Sequence, residues 1–296
     1  MTRYVEKECA SILVKSKLPD TTFVVNPYTG CEFGCSYCYA SFMGRFAGES
    51  IAAWGDYVIV KRNAVEVFKK DLERLTTQGR QGSILLSSVT DAWQPVERRY
   101  RLSRGIVNEL VHARYPGVVS ILTKSPIVLD DLDLLRELPA ADVGITVTTT
   151  DDKLSRVLEV RAPSARRRID TLARLNAGGV PSYAFIGPLL PHFSEQRAAL
   201  DDLFKSVRDA GTTQVYVELI NKSRYIRDRL DEVYLEGDRA LMPTYINADD
   251  LKQRLRLVGM VNELVERYSF TLRLGRVIDH RRDSNLNPRP RCEILS

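Results

Sequence analysis

The feature that most constrains the fold of this 296-residue chain is a rhythm. From about Thr22 onward, short β-branched runs alternate with longer segments of helical period, the pattern of parallel strands joined by crossover helices. Six strand-then-helix units are predicted, with strands at 22–26, 83–88, 118–123, 143–149, 182–187 and 214–220. Between them, Val65, Phe68, Leu72 and Leu75 recur at steps of three and four, as do Ile106 and Leu110, then Ile169, Leu172 and Leu175, then Leu200, Phe204 and Val207. The strand runs "SILLSS" and "VVSILT" lack polar alternation, so both faces are expected to be buried, as in an α/β sheet or barrel. Gly178-Gly179 and Asp209-Ala210-Gly211 supply helix stops before the fifth and sixth strands. A further helix over 249–267, carrying Leu251, Leu255, Val258 and Val261 on one face, precedes a strand-like "FTLRL" and an irregular tail.

The chain is long enough to bury a core without a disulfide or zinc staple. Five cysteines at uneven spacing (Cys9, Cys31, Cys35, Cys38 and Cys292) argue against an extracellular disulfide framework and for a reducing compartment, so a cytoplasmic location is expected. No membrane span and no secretory signal are read. The net charge of +5, 43 basic against 38 acidic residues, is spread along the chain and by itself decides nothing about nucleic acid.

The stretch "NPYTGCEFGCSYCYA" follows the first strand and places Cys31, Cys35 and Cys38 in a C-x3-C-x2-C pattern. Three thiolates on one compact loop can hold three corners of an iron–sulfur cube and leave one iron without a protein ligand. Gly30 and Gly34 would let the backbone turn tightly around it. A structural zinc site would need a fourth ligand from the distant Cys9 or Cys292 or from His112, His192 or His280. Ligands collect at the carboxyl ends of strands in barrels and open α/β sheets, which is where this loop falls.

In that setting "CEFGCSYCY" resembles the cluster motif of the radical S-adenosylmethionine superfamily. Together with "SSVTDAWQPVE", "LTKS", "ITVTT", "LEVRAPS" and "NAGGVPSYAFIGPLLP", it is similar to the spore photoproduct lyase-like group. The resemblance implies an incomplete (β/α)6 TIM-like barrel over 22–225, with an N-terminal extension over 1–21 and a C-terminal accessory helix and tail over 226–296. It implies a [4Fe-4S] cluster on Cys31, Cys35 and Cys38, whose open iron binds S-adenosylmethionine and whose reduction yields a 5′-deoxyadenosyl radical. A lyase or other radical-mediated transformation is expected, with electrons from a donor such as flavodoxin or ferredoxin.

The same resemblance assigns roles. Tyr37 would meet the adenine, Thr90 the methionine amino group, Lys124 its carboxylate, and Thr146, with Thr148 on the same strand face, the rest of the cofactor. Glu159 and Arg161 look like a polar pair near the cofactor; read from the residues alone they equally suit an ion pair beginning the next helix. Tyr39 is implicated in the radical chemistry. Ser88, placed with the cofactor-binding strand-two motif, stands where spore photoproduct lyase carries a hydrogen-donating cysteine, and a serine O–H is a far poorer hydrogen-atom donor. Cys292, or Cys9, is the remaining thiol candidate for that step.

Arginines cluster in "VERRYRLSR" and in the tail (Arg273, Arg276, Arg281, Arg282, Arg289 and Arg291), and Trp54 and Trp93 follow predicted strands on the functional edge. Phosphate contacts and base stacking, with Trp93 as the better stacking candidate, would suit a nucleotide, nucleoside or DNA substrate. A small metabolite or a peptide is the alternative substrate, and a non-enzymatic iron–sulfur or zinc protein is the third reading.

Overall fold

The structure is a computed structural model that describes residues 1–221, 223–236 and 251–280. Eleven strands follow in chain order: β1 (Arg3–Lys7), β2 (Leu13–Lys15), β3 (Phe23–Val25), β4 (Tyr28–Thr29), β5 (Tyr57–Lys61), β6 (Ile84–Leu86), β7 (Val119–Thr123), β8 (Ala141–Thr146), β9 (Ser182–Leu189), β10 (Gln214–Leu219) and β11 (Thr271–Leu272). The main sheet runs β11-β10-β9-β8-β7-β6-β3-β2. Every pairing from β3 to β11 is parallel, and β2 adds to β3 as an antiparallel edge.

All six predicted strands are present and adjacent in sequence order, so the core is an α/β, incomplete (β/α)6 barrel, and among the described residues no strand pairing closes the sheet. The crossover helices include Ala64–Glu73, Leu102–His112, Ala165–Ala177 and Arg197–Asp209, each burying an apolar stripe such as Leu200, Leu203, Phe204 and Val207. The strand residues Val25, Ile84, Leu86, Val119, Ile121 and Val143 are fully buried, as continuous apolar runs require.

Two parts of the chain depart from the sequence expectation. A separate three-stranded sheet, β1-β5-β4, sits beside the cysteine loop; "RYVEK" is too polar to signal a strand, and only its register with "YVIVK" makes it one. In the helix Leu251–Arg267 the inward face is Arg254, Leu257, Met260, Val261 and Leu264, while Leu251 and Leu255 are exposed. The shift of face follows from Arg254, which lies buried against the Asp279 carboxylate and so occupies a core position that an apolar count passes over.

The open side of the barrel is bridged at both ends. At the amino ends of the strands the Tyr216 hydroxyl on β10 donates to Asp20, ahead of β3. At the carboxyl ends the helix Arg224–Glu236, which follows β10, reaches the loop that follows β3: Tyr225 donates to the Tyr39 carbonyl at 3.1 Å and Arg229 to the Gly34 carbonyl at 3.4 Å. Among the described residues no helix is long and apolar enough to cross a membrane.

Candidate active site at the carboxyl ends of the strands

The cysteine loop leaves β3 and β4 through two left-handed glycines, Gly30 (φ +94°) and Gly34 (φ +61°). A side chain at Gly30 would put its Cβ 2.4 Å from the Tyr57 carbonyl oxygen, so this turn accepts only glycine. Cys31 and Cys35 are buried and Cys38 is half-buried. Burial pushes the Cys31 thiol well above its ordinary value, with Asp91 and the two other cysteines adding to the effect. The Cys35 thiol is pushed up to about 12 by burial, against the pull of Lys124. Desolvated thiols that feel one another's charge release their protons to a strong counter-charge, and thiolate is the form that binds iron and sulfide. The donor set therefore fits the three-thiolate cluster expected from the spacing. Among the described residues no group of three or more His, Cys, Asp and Glu side chains is gathered as a site for a metal ion.

The strand-two motif "SSVTDAWQPVE" grips this loop. Thr90 donates to the Gly30 carbonyl at 2.6 Å, and the buried Gln94 both donates to that carbonyl and accepts from the Glu32 amide at 2.8 Å. Glu32 in turn accepts from the Val96 amide at 2.6 Å. From the other side, the Asn26 amide group accepts from the Ser88 and Val89 amides and donates to the Ser88 hydroxyl at 2.9 Å. Ser87, the residue before Ser88, sits at φ +84°, a left-handed serine stabilised by the Ala92 amide donating to its hydroxyl at 2.6 Å. Backbone strain of this kind persists where surrounding bonds over-determine it.

Opposite the loop lies a buried charge cluster. Glu159 accepts from the Tyr37 hydroxyl, from the Ser155 hydroxyl at 2.8 Å, and from both terminal nitrogens of Arg168. Lys124 lies 4.0 Å from the same carboxylate and 5.8 Å from the centre of the Tyr37 ring. Burial works against a charge on Glu159, but Arg168 and then Lys124 outweigh it and hold the carboxyl down at about 2. Lys124 is lifted above its ordinary value because Cys35 and Glu159 together exceed the cost of its burial. Its backbone is fixed by Asp91, which accepts from the Lys124 amide at 2.7 Å and the Thr123 hydroxyl at 2.6 Å. Thr146 is buried at the end of β8, and the Thr148 hydroxyl just beyond it is buried without a hydrogen-bond partner among the described residues. A cationic, partly unsatisfied mouth beside three thiols suits a ligand that carries a carboxylate and several polar groups.

The chain matches the Radical SAM superfamily over residues 25–204. It belongs to that superfamily. An uncharacterized protein of Methanocaldococcus jannaschii is 32% identical to this radical SAM chain over 224 residues, 75% of the chain and 80% of the relative. An uncharacterized protein of Mycobacterium bovis is 29% identical over 218 residues, 71% of the chain and 62% of the relative. Among solved structures, spore photoproduct lyase complexed with dinucleoside spore photoproduct superposes with a TM-score of 0.65 at 13% identity, covering 90% of this chain and 78% of the other. That likeness establishes a shared spore photoproduct lyase-like fold. Radical SAM membership implies an iron–sulfur cluster, S-adenosylmethionine and a reductant.

Within this radical SAM core Tyr37, Lys124 and Glu159 meet, and the Cys31, Cys35 and Cys38 thiols lie close enough to act on one another's charge, with Lys124 acting on Cys35 and Cys38. Tyr39 is partly exposed, and its hydroxyl donates to the Ser88 carbonyl. Arg161 turns away instead, toward the Gly55 carbonyl, Thr2 and, at 2.7 Å, Asp56; the arginine paired with Glu159 is Arg168. Trp93 cannot stack on a substrate, because it is fully buried with its indole N–H donating to Asp131 at 2.9 Å, and Trp54 is buried as well. Cys9 is tied to Asn63 through its amide and thiol. Cys292, Arg281, Arg282, Arg289 and Arg291 lie outside the described residues.

Three participants escaped the sequence reading. Gln94 stands in a motif whose role as a clamp needs the fold to be seen. Arg168 is the third of three consecutive arginines, and only its place on the stripe Ala165, Arg168, Leu172, Leu175 marks it as inward-facing. Arg229 lies on a helix beyond the matched segment.

Proposed function

We propose that this protein is a radical SAM enzyme that holds a [4Fe-4S] cluster on Cys31, Cys35 and Cys38 and acts on a nucleotide, nucleoside or DNA base. With cluster and S-adenosylmethionine bound, one-electron reduction would supply a 5′-deoxyadenosyl radical for hydrogen abstraction from substrate. The observation that carries the reading is the convergence of three mutually interacting thiols with the Lys124 and Glu159 pair at one end of the sheet. Lys124 is the group to receive the methionine carboxylate: it is charged, oriented through Asp91, and only 4.0 Å from a carboxylate that a ligand can share or displace. Thr90 keeps one acceptor lone pair beyond its bond from Gln94, so it can meet the methionine amino group. Tyr37, fixed by Glu159, offers its ring and backbone to the adenine, and Thr146 and Thr148 offer hydroxyls from the adjoining strand. The buried wall around them excludes water, which protects a radical from side reactions.

Support for the substrate class comes from spore photoproduct lyase, which shares the fold and was solved with both S-adenosylmethionine and the dinucleoside spore photoproduct. Ser88 stands in place of the thiol donor and is bonded to Asn26, so the product radical here takes its hydrogen by another route than a strand-two cysteine. Tyr39, whose hydroxyl donates to the Ser88 carbonyl, is the side chain assigned to such a relay in this proposal. The reading is tested by incubating the reduced, reconstituted enzyme with deuterated deoxynucleotides and short oligonucleotides and following the label. Deuterium appearing in 5′-deoxyadenosine supports a nucleotide substrate. Cofactor cleavage without any such transfer across the nucleotide panel would move the substrate to the small-metabolite or peptide class.

A further inference from the structure

Arg229 projects from the helix Arg224–Glu236, between the buried Ile226 and Leu230. Its Nη2 donates to the carbonyl of Gly34, the residue before Cys35, at 3.4 Å. Its Nη1 is buried and meets no hydrogen-bond partner among the described residues. An arginine that served only to clip this helix to the loop would be expected to satisfy its second nitrogen, because a buried idle donor on a cation is costly. Next to Gly34 in the chain is Cys35, and the groups whose charge acts on the Arg229 guanidinium are the Cys38 and Cys35 thiols, then Glu232 one turn along its helix. Lys124, which also lies beside these thiols, is engaged with Glu159. The helix is tied to the far end of the same loop by Tyr225 and the Tyr39 carbonyl, so Arg229 is held in register with the thiols.

We propose that Arg229 is a positioning residue that fixes a permanent positive charge, with one idle N–H, against the cysteine loop and so raises the reduction potential of the cluster held there. The inference rests on the functional reading above. Reduction adds one electron and hence one negative charge to the cluster, and a nearby fixed cation in a poorly screened site stabilises the reduced form more than the oxidised one. The helix Arg224–Glu236, outside the segment that matches the superfamily, thereby becomes part of the redox centre.

The test is a potentiometric titration of the full-length, anaerobically reconstituted protein, followed by the EPR signal of the reduced cluster, in wild type, Arg229→Lys and Arg229→Met. Arg229→Met should lower the ratio of reduced to oxidised cluster at a fixed potential by about tenfold, a shift of about 59 mV for a one-electron couple, whereas Arg229→Lys should stay within about twofold of wild type. An unshifted Arg229→Met with full iron content overturns the proposal, as does an equal shift in the Lys and Met variants, which would mark a packing role. Should Arg229→Met fail to retain iron, Arg229→Gln, which keeps a donor for Gly34 without the charge, is judged by the same criteria. A wild-type protein that takes up no cluster would instead overturn the functional reading, and this inference with it.

Discussion

The two ends of the barrel are built from the same strands and handle polarity in opposite ways. At the amino ends, Arg273 pairs with Asp142 at 2.7 Å and lies 4.4 Å from the centre of the Tyr183 ring and 5.2 Å from that of Tyr216. Tyr183 donates to the Ile121 carbonyl, Ser120 to Asp142 and Tyr216 to Asp20. At the carboxyl ends, side-chain atoms that are buried without a partner among the described residues gather instead: the Ser41, Tyr57, Thr148 and Ser223 hydroxyls and one nitrogen each of Arg168 and Arg229. Satisfied polar groups knit a sheet together, whereas unsatisfied ones with strained backbone and coupled charges mark where a ligand completes the structure.

The largest expected difference between the ends is in cluster binding. Single changes of Cys31, Cys35 or Cys38 to Ala should abolish iron–sulfur absorbance and all cofactor cleavage, while Arg273→Met at the other end should retain iron at the wild-type ratio, as read by iron and sulfide analysis. Next comes stability. Glu159→Gln leaves Arg168 buried without its counter-charge and should cost about 3–5 kcal/mol in urea unfolding. Arg273→Met, which removes one partner of a partly exposed pair, should cost about 1–2 kcal/mol on the same scale.

The smallest effect is a pH dependence centred on Glu97, a buried carboxyl that accepts from Tyr28 and from the Arg104 amide at 3.0 Å. Burial lifts it to about 7 from an ordinary 4.5. A raised carboxyl favours the protonated form in the fold, so its contribution is complete below pH 4.5 and fades as pH rises through 7. The unfolding free energy should therefore fall by on the order of 1–3 kcal/mol between pH 5 and 8, and Glu97→Gln should flatten that slope. An unchanged slope in the variant would show that another group governs it.

The six strands were legible because each is a short run rich in β-branched and apolar residues set between segments of helical period, and the thiol trio because its spacing has few other uses. The positive φ of Gly30 and Gly34 followed from the same reasoning. What stayed hidden were buried arginines on otherwise apolar stripes. Arg168, on the helix Ala165–Ala177, pairs with Glu159 at the end of the preceding helix, and Arg254, on the helix Leu251–Arg267, pairs with Asp279 beyond it, which also displaced the assigned face away from Leu251 and Leu255. A charge at a core position reads as a surface residue until its partner, distant in sequence, is placed beside it. The substitution of Arg168 for Arg161 as the partner of Glu159 is the same lesson at the site itself, and Trp93 is its converse: an aromatic in a loop whose hydrogen bond to Asp131 draws it inside.

The central claim is that three protein thiolates hold a cluster with one iron left for S-adenosylmethionine. Its most direct measurement is to reconstitute the protein without oxygen, add dithionite and S-adenosylmethionine, and quantify iron, sulfide and 5′-deoxyadenosine together. Cubane stoichiometry per chain with 5′-deoxyadenosine produced is the expected result; a metal ligated entirely by protein, or cofactor left intact by a reduced cluster, would contradict it.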